Sequence, residues 1–261
     1  MKSSILITSY NKGKYIDQCI SSCINQDIAD DIEILVLDNY SEDVSNEVFN
    51  KYRDNIKIFK KKRVSAHPAL NQIDLIKEGL SISNGNLIYL LDGDDFFLKN
   101  KLHNVNNIFK KNPNIKVVFD TSLKKRENKL YTYKIKEKIN KNIWPTIINT
   151  SSITIKKEFI LEILNKKLLD NFSLLEIDFR INVYSRNIKK NFIITKDTYT
   201  VYRQLKDSIM GNTKKYSSKW WKKRKQAHEF MKIMYLNNDL KYHNKLDFLL
   251  TNFINKFIKT K

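Results

Sequence analysis

A chain of 261 residues with 41% hydrophobic content is long enough for one large α/β domain or two small ones and is not disordered. No stretch approaches the roughly 18–20 uninterrupted apolar residues of a membrane span, and the chain begins directly in a strand without a signal-peptide pattern, so a cytoplasmic protein is expected. The net charge of +20 is almost all lysine, with arginine only seven times among 48 basic residues, and it points to nucleic acid, an anionic membrane surface or acidic substrates.

Residues 3–10 (SSILITSY) read as a short apolar strand ending in small polar groups. A helix follows over about 14–26, with Tyr15, Ile16, Cys19, Ile20, Cys23 and Ile24 on one face. The two cysteines are too few for a structural zinc site and read as reduced core residues. A second strand over 32–37 runs into Asp38, Asn39, Tyr40 and Ser41. This strand–helix–strand order predicts a parallel sheet with right-handed crossovers. The first turn lacks the glycine fingerprint of a dinucleotide site, which disfavours a plain NAD or FAD domain.

The alternation continues with a helix over 42–53 and a strand over 56–59. A basic loop containing Pro68 then opens into a helix lasting to about Ile82. After a strand over 87–91 come a helix over 99–111 and a buried strand over 116–120. Residues 123–142 are strongly charged, with Tyr131, Tyr133 and Ile135 alternating in an edge hairpin. A strand over 152–155, helices over 156–165 and 173–186, and a strand over 192–195 complete the pattern. From Lys214 onward the chain reads helical and very basic.

The stretch 85–97, GNLIYLLDGDDFF, is the most informative. Its apolar residues are continuous rather than alternating, as in a central strand buried on both faces, and they stop at Asp92, Gly93, Asp94 and Asp95. Three carboxylates at the carboxyl edge of a sheet repel one another unless a cation joins them, and that edge is where open α/β sheets bind ligands. Hard oxygen donors suit Mg²⁺ or Mn²⁺, which takes one or two protein carboxylates and fills its shell with water and phosphate oxygens. The stretch therefore predicts a metal and a phosphorylated ligand. The competing reading is that Asp94 or Asp95 caps the next helix.

Five segments, ILITSYNKGKYIDQCISSCINQ, IEILVLDNYSED, LLDGDDFF, LLEIDFRINVYSR and VYRQLKDSIMG, occur in the order seen in family 2 glycosyltransferases of the GT-A fold, and the chain resembles that family over roughly residues 3–211. The resemblance implies an α/β fold with a mixed, mostly parallel sheet flanked by helices, to which the helical pattern from Lys214 onward adds a C-terminal helical extension. It divides the chain into a catalytic domain over 1–211, with a nucleotide-sugar half (1–120) and an acceptor half (121–211), followed by a basic amphipathic tail over 212–261. Thr8 and Tyr10 match the positions that hold the nucleobase, and Asp38 matches the carboxylate that accepts the uracil N3 hydrogen. The acid that often follows is here Asn39. Asp92 and Asp94 match the D-x-D pair on the metal, with Asp95 in support. Arg203 matches a basic residue facing the diphosphate, and Leu205 stands where the family often has His, with Lys206 or Ser208 as substitutes. Arg63 is the candidate for a pyrophosphate arginine in the 60–71 loop, which otherwise reads as a solvated basic loop.

The base is expected from LLEIDFRINVYSR. Aligning Asp178 with the later acid of the family motif makes Glu176 the base, and sliding the match by two makes Asp178 the base. Either could deprotonate an acceptor hydroxyl in line with the anomeric carbon. The bland alternative is that Glu176 and Arg180 form a helix salt pair.

In the tail, apolar residues at 246, 249, 250, 253, 254, 257 and 258 form a helical stripe beside Lys245, Lys256 and Lys259, downstream of Trp220 and Trp221. Such a helix either binds an anionic bilayer or packs on the catalytic domain. The whole implies a Mn²⁺- or Mg²⁺-dependent, inverting transfer of a hexose from a UDP-sugar to a glycan or lipid-linked acceptor in cell-surface polysaccharide synthesis. The rivals are a basic nucleic-acid-binding protein, a nucleotidyltransferase and a catalytically inactive scaffold. Nucleic acid is not expected, because no recognisable module organises the charge, and five glycines leave little for a phosphate-cradling loop.

Overall fold

The computed structural model describes residues 1–27, 31–127, 129–132, 148–165, 171–205, 213–242 and 245–258. The expected positions Tyr133, Ile135, Lys206, Ser208 and Lys259 lie outside the described residues.

The sheet begins with four parallel strands, β1 (Ser3–Ser9), β2 (Ile32–Asp38), β3 (Lys57–Lys60) and β4 (Leu87–Asp92). They lie in the order β3-β2-β1-β4. Their continuous apolar runs are explained by two cores, one on each face. Leu6, Leu35, Leu37, Ile88 and Leu90 point to one, and Ile5, Ile7, Ile34, Val36, Tyr89 and Leu91 to the other. Helices α1 (Gly13–Ile24), α2 (Ser45–Lys51) and α4 (Lys101–Lys111) contribute to the second core, and α3 (Pro68–Ile82) to the first. Pro68 stands at the first position of α3, where its missing N–H costs no helical bond.

Beyond β4 the sheet becomes mixed. Strand β8 (Ile153–Lys156) runs antiparallel between β4 and β6 (Val117–Arg126), and β9 (Phe192–Arg203) runs parallel to β6 and antiparallel to the short β5 (Phe96–Phe97). The expected hairpin is present as β6 with β7 (Lys129–Thr132). Expected strand 192–195 and the segment after it form one continuous β9 of 12 residues. Helix α5 (Lys157–Leu164) follows β8.

The helix expected over 173–186 begins later and runs on to Lys189. Helix α6 (Ile177–Asn182) starts at Ile177, with Glu176 extended before it, and continues as a π-helical stretch, Val183–Lys189. The reason lies in tertiary contacts. The buried Arg180 donates to the carbonyls of Leu175 (3.1 Å) and Phe172 (2.8 Å), and the Leu174 N–H donates to the Gln226 side chain (2.8 Å). These bonds hold residues 172–175 out of the helix.

Gln226 belongs to α7 (Ser218–Leu236), whose Ala227, Phe230, Met231 and Met234 join the first core. Phe230 packs edge-on to Phe172 and Phe179 at 5.5 and 5.8 Å. The last helix, α8 (Lys245–Phe257), packs on α7. No described helix is long and apolar enough to cross a membrane.

One glycine is demanded by close approach. A Cβ on Gly85 would lie 2.4 Å from the Ser4 backbone nitrogen, where β1 passes the start of β4. Replacing Gly85 by Ala is expected to cost about 1–3 kcal/mol, read as a lower urea midpoint with an unchanged m-value.

Candidate active site

The parallel register aligns the strand ends that build the site. Thr8 lies beside Asp92 across β1 and β4, and Ser9 beside Asp38 across β1 and β2. Because β8 runs antiparallel to β4, its leading turn, Thr150–Ser152, reaches the carboxyl end of β4. A cavity of about 310 Å³ opens at this edge. Its walls include Thr8, Tyr10, Arg63, Asp92, Asp94, Glu176, Asp178 and Arg203. Eight residues singled out from the sequence therefore meet at one place.

Asp38 is not among them. It is fully buried and absent from the cavity wall, and its carboxylate closes its own turn, accepting the Ser41 N–H at 2.8 Å and the Ser41 hydroxyl at 2.5 Å. Asn39, the next residue, lines the cavity instead.

The three acids after β4 are held in different ways. Asp92 accepts from the Thr8 hydroxyl (3.1 Å) and the Gln72 amide (2.6 Å). Burial, reinforced by the neighbouring Asp94 charge, raises its pKa to about 7. Asp94 forms an ion pair with the Lys12 ammonium at 2.6 Å. Asp95 is fully buried, and it accepts from the Ser151 hydroxyl (2.6 Å) and the Arg203 backbone N–H (2.7 Å). Burial and then the Asp94 charge raise its pKa well above the usual carboxylate range. Asp95 is thus a strut within the turn. The same Ser151 hydroxyl accepts the Asp92 N–H at 3.1 Å, which joins the two acids through one side chain.

Arg203, at the end of β9, donates to the Asp94 carbonyl and the Gln18 side chain. Its guanidinium lies between the rings of Tyr15 (5.2 Å) and Phe96 (4.8 Å). Across the cavity the Arg63 guanidinium lies 4.2 Å from the Tyr10 ring centroid, so the two residues marked for base and pyrophosphate contact stack on each other.

Glu176 and Asp178 also line the cavity. Glu176 pairs with Lys223 of α7 at 2.5 Å rather than with Arg180, which removes the helix salt-pair alternative. Burial, followed by the adjacent Glu176 charge, raises the Asp178 pKa to about 7. The two carboxylates, ambiguous in sequence, therefore differ in environment: one is neutralised by a lysine and the other is poised near neutrality.

Several contributors escaped the sequence reading. Lys12, Gln72, Ser151 and Lys223 carry no local pattern that separates them from their neighbours, and Lys223 is one cation within a basic run. Lys101 lies beneath the site, fully buried, bonded to Asp120 (2.8 Å), the Ser151 carbonyl (2.7 Å) and Thr200 (2.8 Å). Asn149 also lines the cavity, and its buried side-chain amide nitrogen has no hydrogen-bond acceptor among the described residues.

Among the described residues no cluster of three or more His, Cys, Asp or Glu is arranged to hold a metal ion. Asp92 and Asp94 together provide the one or two hard carboxylate donors that a magnesium-type site draws from protein.

A model of the family described as Glycosyl transferase family 2 matches residues 4–172. The chain belongs to glycosyltransferase family 2. This family member is 33% identical over 140 residues to an uncharacterized glycosyltransferase of Mycoplasma pneumoniae, covering 51% of this chain and 46% of that one. It is 33% identical over 100 residues to the poly(ribitol-phosphate) beta-glucosyltransferase of Bacillus spizizenii, covering 37% of this chain and 15% of that protein. The chain thus spans less than half the length of both relatives. Its fold matches S. aureus TarS 1–349 in complex with UDP-GlcNAc, with a TM-score of 0.69 at 17% identity over 97% of this chain and 73% of that one. It also matches the Pyrobaculum calidifontis mannosyltransferase PcManGT in complex with GDP-Man and Mn²⁺, with a TM-score of 0.59 at 14% identity over 96% of this chain and 72% of that one. The GT-A fold expected from the motifs is therefore the fold of this family 2 member.

Desolvation of the buried acids costs the fold stability near neutral pH. With its pKa raised from 3.8 to about 7, Asp92 ionises in the unfolded chain before it does in the folded one. Stability contributed by its protonated form is present below pH 3.8 and is lost as pH rises through 7. Asp92→Asn is expected to stabilise the ligand-free protein on the order of a few kcal/mol at pH 8, and by progressively less toward pH 4, read by urea denaturation.

Proposed function

We propose that the protein transfers a hexose from a UDP-sugar to a glycan or lipid-linked glycan acceptor, with inversion and with Mn²⁺ or Mg²⁺, in cell-surface polysaccharide synthesis. The observation that carries this reading is the convergence of Asp92, Asp94 and Arg203 with Glu176 and Asp178 on one cavity at the carboxyl edge of the sheet. The similarity to TarS, whose structure holds UDP-GlcNAc, and to a poly(ribitol-phosphate) glucosyltransferase supports a uridine donor and a cell-wall type of acceptor.

The acid pair fits a divalent cation. Its oxygens are hard donors, Asp92 resists ionisation beside Asp94, and the Lys12 ammonium already supplies positive charge at Asp94. Asp92 and Asp94 would hold the ion, which supplies positive charge against the departing diphosphate. Lys12 and Arg203 add fixed positive charge on the same side. Tyr10 and Arg63 would part to admit the uracil ring and the pyrophosphate, and Thr8 would contact the base. Asn39 takes the base-pairing position expected of Asp38, whose oxygens are already bonded. The unpartnered Asn149 amide is a donor for a sugar hydroxyl, since a buried donor left unbonded costs about 1–3 kcal/mol.

Asp178 is the base in this reading. Its carboxylate takes the proton from the acceptor hydroxyl as the oxygen bonds to the anomeric carbon and the bond from that carbon to the diphosphate oxygen breaks. Glu176, paired with Lys223, positions the helix start that presents Asp178.

Thermal-shift measurements with UDP are expected to show stabilisation that grows on adding Mn²⁺ and that Asp94→Ala abolishes. No stabilisation by any nucleoside diphosphate would overturn the reading. Asp178→Asn is expected to lower turnover by about 10²–10⁴-fold with UDP binding retained. In the parent protein, kcat/KM should fall as pH drops below about 7, where Asp178 becomes protonated. An equal loss on Glu176→Gln with an unchanged acid limb would reassign the base.

A further inference from the structure

The two readings of the C-terminal stripe are separated by the orientation of α8. Its polar side faces inward. Asp247 meets Arg224 and the His228 imidazole (3.2 Å), Thr251 is fully buried, and the Asn255 amide donates to the Trp221 carbonyl at 3.1 Å. Its apolar side faces out. Leu246, Leu249, Leu250, Phe253 and Phe257 are exposed by 54% (Leu250) to 84% (Leu246). A helix turned apolar side outward is the reverse of ordinary packing, in which the apolar stripe meets the core.

From this surface the structure assigns α8 as a docking face for an anionic lipid bilayer. Charge selects the occupant. A second copy of the chain would bring the same lysine group to the face, whereas an anionic leaflet is attracted to it. Exposed Lys256 lies on α8 itself, and exposed Lys214, Lys215 and Lys219 lie at the start of α7 and just before it. The contact of Asn255 with Trp221 sets α8 antiparallel on α7, so this lysine group lies toward the carboxyl end of the apolar face. An aromatic group lies there too: Tyr216, exposed, packs on Trp220 at 5.3 Å, and Trp220 on Trp221 at 4.7 Å. Apolar side chains flanked by lysine and interfacial aromatic rings are the composition of a helix that lies in the plane of a bilayer interface.

The position of the face matters for the site. Helix α7 carries α8 on one side and delivers Lys223 to Glu176 on another. Bilayer contact through α8 therefore places the cavity one helix away from the lipid headgroups. This consequence, an acceptor presented at the membrane surface, rests on the transferase reading; the lipid contact itself does not.

Co-sedimentation of the full chain with phosphatidylcholine vesicles, with and without 30% phosphatidylglycerol, tests it at 150 mM salt. At least tenfold tighter partitioning onto the anionic vesicles is expected. Leu249→Ser with Phe253→Ser, which leaves the net charge unchanged, should lose at least tenfold of that binding while retaining its melting temperature and its UDP-induced thermal shift. Equal binding by parent and variant would show attraction by charge alone and overturn the assignment. So would the absence of sedimentation with either vesicle. A concentration-dependent dimer abolished by the double variant would assign the face to a second copy instead. Vesicle binding without any nucleotide response would leave this inference standing and remove the transferase reading.

Discussion

Three carboxylates packed into four residues at the end of a buried strand set the terms for this structure. Asp92, Asp94 and Asp95 are brought together where burial opposes their charge, and each is supported by a different part of the chain. Lys12 comes from the loop after β1, Gln72 from α3, Ser151 from the turn before β8, and Arg203 from the end of β9. The carboxyl edge of the sheet is thus tied together by the need to compensate one acidic turn. Buried charge without such compensation would cost several kcal/mol per ion.

Lys101 extends this support below the surface. It joins Asp120 of β6, Thr200 of β9 and the Ser151 carbonyl, so the strand side of the sheet and the acidic turn share one buried cation. The pKa of Lys101 is lowered by burial, and Asp120 offsets part of that cost. A network of this kind holds its members in fixed positions because any one left unpaired is expensive. Preorganisation of that sort suits the proposed binding of a nucleoside diphosphate.

The second acidic pair is tuned by a different device. Glu176 and Asp178 are two residues apart at one helix start, yet among the described residues only Glu176 forms an ion pair with a lysine. That lysine comes from α7, which would be a mere appendage if judged by its charge and composition. Its apolar residues instead complete the core beneath α6, and its Gln226 fixes the extended approach to Glu176. The C-terminal region therefore takes part in the site, while α8 beyond it offers an apolar face to the surroundings.

Much of this was legible in the chain alone. Continuous apolar runs mark β1, β2 and β4 as strands buried on both faces, and a run that stops in carboxylates marks the functional edge of the sheet. Local pattern carries that information because a strand's neighbours above and below impose the same demand on every residue. The alternation of strands and helices and the acidic end of β4 were readable in this way, whereas Glu176 and Asp178 were marked by the resemblance to family 2 glycosyltransferases. What only tertiary structure decided were matters of partnership. Asp38 spends its oxygens on Ser41, Glu176 takes Lys223 from 47 residues away, and the helix expected from 173 starts only at Ile177 because Arg180 and Gln226 claim the backbone before it. The stripe on α8 makes the same point. Periodicity shows that one side of a helix is apolar, but the direction that side faces depends on which other side chains the fold sets against it.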